Sequence, residues 1–357
     1  MTVFCASSTC RSPPASSATD PALPVRTAVR RPEAIVGGMR NLLILILTSA
    51  LTICCMATPA TAAISCTASM TNIVFGSVNV LPGTVIDTTG TLTITCSGAT
   101  ANTTYRFCTD IRTGTDASGN QRRMASGTNF LNFDLYKDAA RTQEWGNYAN
   151  NYLGGGSQND FTSNGSGNVS ATVTVYARIA ASQQTAIPGS YSETMSSGTS
   201  QRMHYGALAS GGNCSVGTST ANFSFTVTAT VVTNCLISAA NLNFGSVGLL
   251  TSNVDATSTV TPTCTSTTPY NIGLNAGTGS GATVTTRKMT SGANTINYSL
   301  YSNSGRTTNW GNTVGTDTVS GTGSGLGQGY TVYGRVPSQS TPAPATYADT
   351  IVATVTY

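Results

Sequence analysis

Apolar and polar residues alternate along most of the chain after residue 63. Every second residue is apolar in 92–96, 223–231 and 351–357, and most of the residues between them are threonine. A period of two is typical of β-strands that turn one face to a core and the other to solvent. Glycine-rich segments such as 154–156 and 321–325 separate these runs. The pattern predicts an all-β protein.

The alternating pattern occurs in two copies. The segment 66–78, which begins with Cys66 and ends in Phe-Gly-Ser-Val, returns as 235–247 at a shift of 169 residues. The segment 141–147, which contains Trp-Gly-Asn, returns as 306–312 at a shift of 165. Such a period is much longer than a solenoid repeat, so the repeating unit is a whole domain. We expect two tandem immunoglobulin-like or Greek-key β-sandwiches, 64–232 and 233–357, the second lacking its last strand.

The first 63 residues have the pattern of an export signal. Met39 and Arg40 precede a short apolar run, 42–47, and an Ala-Thr-Ala site follows at 60–62. These features predict a signal peptide over 39–63 and secretion. Residues 1–38 are interpreted as a non-native extension from an upstream start codon. A lipoprotein signal ending at Cys54 is an alternative, although Ile53 is large for that role.

The composition of the mature chain excludes several functions. Without residues 1–63 the chain has 12 basic and 11 acidic residues, which gives no electrostatic footprint for nucleic acid. Six cysteines remain, and an even number after export indicates disulfides. The repeat pairs Cys66 with Cys96 and Cys235 with Cys264, which leaves Cys108 for Cys214. A metal site is the alternative, but no C-x-x-C spacing occurs.

The search for catalytic chemistry finds no candidate. No nucleophile-elbow, zinc-protease or dinucleotide motif occurs, and His204 is the only histidine. Isolated acids such as Asp110 and Asp134 are interpreted as solvated turn residues. Trp145 and Trp310 occur in both copies and are interpreted as a structural corner, braced by arginines, rather than as a sugar platform. We expect no enzyme activity and no cofactor.

Three motifs together resemble a known family. The second copy contains Asn-x-x-Phe-Gly-Ser-Val at 241–247 and Leu-Tyr at 300–301, near Trp-Gly-Asn. It ends in Tyr-x-Asp-Thr-x-x-x-Thr-Val-Thr-Tyr at 347–357. Residues 64–357 are similar, as two copies, to the spore coat U domain family, which includes subunits of archaic chaperone–usher pili.

The resemblance implies partners. Such pilins lack their last strand, which a periplasmic chaperone and then the adjacent pilin subunit supply by strand addition during assembly at an outer-membrane usher. In this chain the predicted acceptor edge is the last alternating run, with inward residues Ile351, Ala353, Val355 and Tyr357.

Differences between the copies predict a location at the pilus tip. The predicted mature chain has only Ile64 and Ser65 before Cys66, so it has no arm to donate. The first copy also has an insertion, 195–221, expected at the end far from the linker, roughly 30 Å away along strands of about ten residues. Loops rich in glycine with apolar tips are candidates for contact with an abiotic or host surface. These candidates are Tyr148, Tyr152, Leu153, Ile187, Met203, Tyr205 and Leu208.

The sequence therefore predicts a tip adhesin that mediates surface attachment and biofilm formation. A structural coat, matrix or minor pilin subunit without adhesive role is the first alternative. A carbohydrate-binding lectin domain is the second.

Overall fold

A computed structural model describes residues 63–148, 153–196, 201–208, 214 and 219–357. Every named element in these ranges is a β-strand, twenty in all, so the all-β prediction is confirmed. The described residues bury two separate hydrophobic cores, one built from residues 66–231 and the other from residues 250–336. Within the described part of the chain, no helix has the length and apolarity needed to cross a membrane.

The N-terminal copy consists of an eight-stranded and a four-stranded sheet. The order of strands in the first sheet is β1-β3-β8-β6-β5-β9-β12-β2, and in the second β11-β10-β4-β7. The strands are β1 Ser65–Met70, β2 Ile73–Val78, β3 Ile86–Ser97, β4 Thr104–Ile111, β5 Arg122–Ser126, β6 Asn129–Tyr136, β7 Ser157–Thr162, β8 Val169–Ile179, β9 Gly189–Met195, β10 Gln201–Ala207, β11 Ser219–Asn222 and β12 Phe225–Val231.

The C-terminal copy repeats this plan with fewer strands. Its sheets have the orders β13-β14-β19-β17-β16 and β18-β15-β20. The strands are β13 Cys235–Ala239, β14 Val254–Cys264, β15 Pro269–Leu274, β16 Arg287–Ser291, β17 Asn294–Tyr301, β18 Val319–Thr322, β19 Tyr330–Val336 and β20 Ala353–Thr356.

Equivalent hairpins show how the sequence specifies the fold locally. The β5–β6 and β16–β17 hairpins turn at Gly127 and Gly292, whose φ angles are 61° and 57°. Glycine adopts this left-handed conformation without the steric cost that a Cβ atom would add. The register that follows places Met124 opposite Leu131 and Met289 opposite Ile296.

The described residues form three disulfide bonds, with the pairing predicted from the repeat. Cys66–Cys96 and Cys235–Cys264 each join the first strand of a copy to the strand paired with it. Cys108–Cys214 occurs in the N-terminal copy alone and ties residue 214 to β4. In the chain-entropy model, a loop of about 30 residues contributes ~3–4 kcal/mol to stability.

Candidate strand-acceptor groove

The two tryptophans provide a common frame for comparing the copies. The Trp145 indole N–H donates to the Thr109 carbonyl at 2.9 Å, and the Trp310 indole N–H donates to the Ile272 carbonyl at 2.8 Å. Thr109 and Ile272 are therefore equivalent positions. Because Met203 stands opposite Thr109 and Val355 opposite Ile272, β20 is the counterpart of β10.

A buried arginine supports the same corner in each copy. The Arg122 guanidinium donates to the carbonyls of Ile111 and Trp145, and the Arg287 guanidinium donates to those of Leu274 and Trp310. Both arginines are fully buried. The occurrence of this arrangement in both copies supports a structural role for the corner.

The arginines expected to brace the corner have another role. Arg141 and Arg306 have left-handed backbones, with φ angles of 57° and 54°. Their side chains lie 3.3 Å from Asp87 on β3 and Asp255 on β14, respectively. They therefore tie the turn to the neighbouring strands rather than to the tryptophan.

One strand closes the sandwich of the N-terminal copy. Strand β12 runs antiparallel to β9 on one side and parallel to β2 on the other. Its inward residues Phe225, Val227, Ala229 and Val231 are all buried. The core of this copy is therefore completed by a strand of its own chain, which leads directly through 232–234 into Cys235.

The C-terminal copy has a groove where β12 would lie. Among the described residues, 242–247, the counterpart of β2, form no strand, and 345–351, the counterpart of β9, form only the isolated bridge between Thr290 and Ala348. A groove of about 760 Å³ runs between residues 242–250 and 341–347. Its apolar lining includes Leu242, Phe244, Leu250, Met289, Ile296 and Val336.

Equivalent side chains show that this groove is an open core. Val78 is 1% exposed, whereas its counterpart Val247 is 44% exposed. Val80 is 5% exposed, whereas its counterpart Leu249 is 74% exposed. Full burial of one such side chain is worth about 1.5–3 kcal/mol. The groove therefore offers apolar surface that a further strand would remove from water.

Of the residues predicted as the acceptor edge, Ile351 borders the groove position as the counterpart of Met195 on β9, whereas Ala353, Val355 and Tyr357 lie on or next to β20 in the other sheet. Ile351, Ala353 and Val355 are half-buried and pack against the C-terminal core. Tyr357 is exposed, and its hydroxyl donates to Asn234 Oδ1 at 3.3 Å. Because β20 ends its sheet, one row of its backbone groups has no neighbouring strand. Sequence reasoning missed the walls of the groove at 242–250 and 341–347.

One carboxylate in each copy anchors the segment beside the groove position. Glu193 Oε1 accepts from the Thr115 backbone N–H at 2.6 Å, and Asp349 Oδ1 accepts from that of Thr278 at 2.7 Å. Burial raises the pKa of Glu193. Burial, and then the hydrogen bond donated to Asp349, raise the pKa of Tyr298. The signal for these anchors was the repeated Tyr-x-acid-Thr motif at 191–194 and 347–350.

The model of the Spore Coat Protein U domain matches residues 51–197 and 221–354, which is most of the chain. The chain belongs to this family. Its two matched segments correspond to the two copies found in the sequence.

Known proteins resemble parts of this spore coat U chain. Protein U of Myxococcus xanthus is 41% identical over 87 residues, which are 24% of this chain and 48% of Protein U. The match therefore spans about half the length of that relative.

Solved pilus proteins align with a larger share of the chain. One is the CsuC–CsuE chaperone–tip adhesion subunit pre-assembly complex from archaic chaperone–usher Csu pili of Acinetobacter baumannii. It is 20% identical with a TM-score of 0.47, over 82% of this chain and 100% of that one. The CupB6 tip adhesin from Pseudomonas aeruginosa is 10% identical with a TM-score of 0.31, over 76% and 87% of the two chains.

Two residues predicted to contact a surface lie in the core instead. Met203 and Tyr205 are 0% and 7% exposed, and both belong to β10. The Tyr205 hydroxyl accepts from the Cys66 backbone N–H at 3.1 Å. The prediction of exposed contact residues at these two positions is wrong, because the segment interpreted as an insertion contains a strand equivalent to β20.

Two further candidates lie in different environments. Leu153 is buried. Ile187 is half-buried and lies two residues before Gly189, which pairs with Val231 beside the linker. Ile187 is therefore at the linker end of the copy, and its contact with a surface stays a prediction.

Three other candidates remain for surface contact. Tyr148 is half-buried, and its backbone N–H donates to Asp110 Oδ1 at 2.9 Å. Leu208 is 37% exposed and follows β10 at the end away from the linker. Tyr152 lies outside the described residues.

A charged cluster on β4 and β10 was not anticipated. Asp110 is buried, which corrects its interpretation as a solvated turn residue. Its Oδ2 atom lies 3.7 Å from both Arg202 Nε and His204 Nε2. His204 is part of a strand rather than of a loop. The cluster is particular to the N-terminal copy, because Gly273 is the counterpart of Asp110 and threonines at 354 and 356 are those of Arg202 and His204.

Proposed function

We propose that this chain is the tip adhesin of an archaic chaperone–usher pilus. The open groove of the C-terminal copy supports this proposal most directly, because Val247 and Leu249 are exposed where their counterparts are buried. A strand from a periplasmic chaperone fills the groove first, and a strand from the adjacent pilin subunit replaces it at the outer-membrane usher. The chain is then exported to the cell surface at the end of the pilus.

Strand β12 supports a β-strand as the ligand of this groove. It contributes main-chain hydrogen bonds to β9 and β2 and places an apolar side chain inward at every second position. Strand addition to a sheet edge supplies both the main-chain hydrogen bonds and the alternate apolar side chains. An unfilled edge beside an open core is an aggregation hazard, so the C-terminal copy requires such a partner.

A donor strand fused after Tyr357 should close the groove. The donor is the sequence 219–233, attached to the mature chain through a short flexible linker. Burial of four inward side chains at about 1.5–3 kcal/mol each should stabilise the C-terminal copy by roughly 5 kcal/mol or more. We expect a soluble monomer without chaperone and a higher urea midpoint for this copy, measured by the fluorescence of Trp310.

The matched control is a donor of identical composition in which Phe225, Val227 and Ala229 are each exchanged with the threonine that follows. This exchange turns the apolar residues outward, so the control donor should not close the groove. Equal urea midpoints for the two fusions would contradict the proposal. So would an unfused chain that is already monomeric and equally stable.

Adhesion is assigned to the surface candidates that remain in the N-terminal copy. The combined change Tyr148→Ser, Tyr152→Ser and Leu208→Ser should reduce attachment of piliated cells to polystyrene about tenfold or more, because a few apolar residues dominate most contact surfaces. The number of pili, counted by electron microscopy, should not change.

The control for adhesion uses exposed apolar residues elsewhere: Val74→Ser, Val314→Ser and Leu326→Ser. These changes should leave attachment unaltered. If the first triple variant attaches as well as the parent while pili assemble normally, the structural subunit without adhesive role is the better description.

A further inference from the structure

In the N-terminal copy, β12 occupies the position that is open in the groove. Its register on β9 shows which residue lies opposite each of its inward residues. Phe225 is paired with Met195, Val227 with Glu193, and Ala229 with Tyr191. Alanine, the smallest inward residue of β12, therefore stands opposite the largest of these side chains. Both Ala229 and Tyr191 are buried.

The geometry of the strand pair explains this match. Directly opposed residues of antiparallel strands project to the same face, with Cβ atoms about 4.5–5.5 Å apart. The Tyr191 ring is also held in place, because its hydroxyl donates to the Ile187 carbonyl at 2.8 Å. A large side chain at position 229 would have to displace a ring that is fixed at both ends.

Tyr347 is the counterpart of Tyr191 in the open groove. It lines the groove, and its hydroxyl donates to the Ala343 carbonyl at 2.7 Å. The bond spans four residues in both copies, so the ring of Tyr347 is already fixed while the groove is open. Asp349, two residues on, repeats the anchoring role of Glu193.

We infer that Tyr347 determines which strand the groove accepts, an inference that rests on the proposed function. The accepted strand comes from the adjacent subunit and runs antiparallel to residues 345–351, the counterpart of β9. It carries glycine, alanine or serine opposite Tyr347 and larger apolar residues two positions to either side. In β12 the small residue lies six positions before Cys235, so the same spacing before a first cysteine is expected in the adjacent subunit.

The test varies one donor position in the full mature chain with the donor 219–233 fused after Tyr357. Four variants are compared. The fused donor carries either the parent alanine or the change equivalent to Ala229→Leu, and each donor is combined with either the parent Tyr347 or Tyr347→Ala. Overpacking by leucine should lower the equilibrium constant for groove closure on the order of 10–100-fold with Tyr347 present. Tyr347→Ala should recover most of this loss, measured by urea unfolding with Trp310 fluorescence.

The matched control adds the same bulk on the solvent face, through the change equivalent to Thr230→Leu, and should have little effect. A series with glycine, valine and leucine at the tested position keeps the inference testable if Tyr347→Ala prevents folding. Closure should then weaken as the side chain grows.

The outcomes separate the inference from the proposed function. Equal closure by the alanine and leucine donors would overturn the role of Tyr347 and leave strand addition supported. A leucine donor that Tyr347→Ala fails to rescue would also overturn it. Failure of every donor to close the groove would instead overturn the proposed function.

Discussion

The N-terminal copy alone, produced as residues 63–232, is expected to accumulate as a folded monomer without a chaperone. Its core includes Phe225, Val227, Ala229 and Val231 from its own closing strand. The C-terminal copy alone, residues 233–357, is expected not to accumulate, because its groove exposes Val247 and Leu249. Periplasmic yield, size-exclusion chromatography and circular dichroism of the two fragments measure the difference.

The matched control removes the closing strand from the N-terminal copy. Residues 63–218 lack β11 and β12, so this fragment should behave like the C-terminal copy and be lost to aggregation or proteolysis. A synthetic peptide of sequence 219–233 should restore its folding. A folded and stable 63–218 fragment would show that an open groove does not by itself create a need for a partner.

The change Arg287→Ala is expected to unfold the C-terminal copy even when a donor strand is fused to it. The buried guanidinium donates to four carbonyls, those of Leu274, Asn275, Val284 and Trp310. A buried acceptor left without a donor costs about 1–3 kcal/mol, so the total loss should exceed ~4 kcal/mol. Urea unfolding of the donor-fused chain, followed by Trp310 fluorescence, measures it.

The neighbouring cation provides the control. Lys288 donates from its ammonium group to the Ser280 carbonyl at 2.9 Å in an exposed position. Because water can replace such a bond, Lys288→Ala should cost less than about 1 kcal/mol. Similar losses for the two variants would mean that the carbonyl cluster around Arg287 contributes little.

The junction between the copies suggests how the pilus joint is built. Strand β12 completes the N-terminal copy and continues through 232–234 into Cys235 of the next copy. This is the arrangement that strand addition creates between separate subunits. The proposed joint between the C-terminal copy and the adjacent subunit repeats it without the covalent connection.

The error at β10 shows where sequence reasoning stopped. Met203 and Tyr205 have the same alternation as their counterparts Val355 and Tyr357, so the signal for a core strand was present. The first copy has four more residues than the second between the shared Tyr-x-acid-Thr motif and the following strand, so comparison of the copies predicts an insertion there. A period of two identifies a strand, but it does not identify the strands on either side.

The candidate groove was predictable in one part only. The resemblance to pilins indicated that a strand is missing, whereas the alternation at 351–357 indicated β20, which belongs to the other sheet. The second wall, residues 242–250, has the same Phe-Gly-Ser-Val motif as β2 and gave no sign that it would be unpaired. Whether such a segment is paired depends on a partner strand, which in the N-terminal copy lies more than a hundred residues further along the chain.

The sequence by itself determined that the chain is all-β, that it consists of two related copies, and which cysteines pair. These features follow from local alternation and from comparison of one copy with the other. Only the tertiary structure decided that the N-terminal copy is closed by β12 and the C-terminal copy has an open groove. The physical reason is that the burial of a side chain depends on which distant strand packs against it, and the valine of the same motif is therefore buried in one copy and exposed in the other.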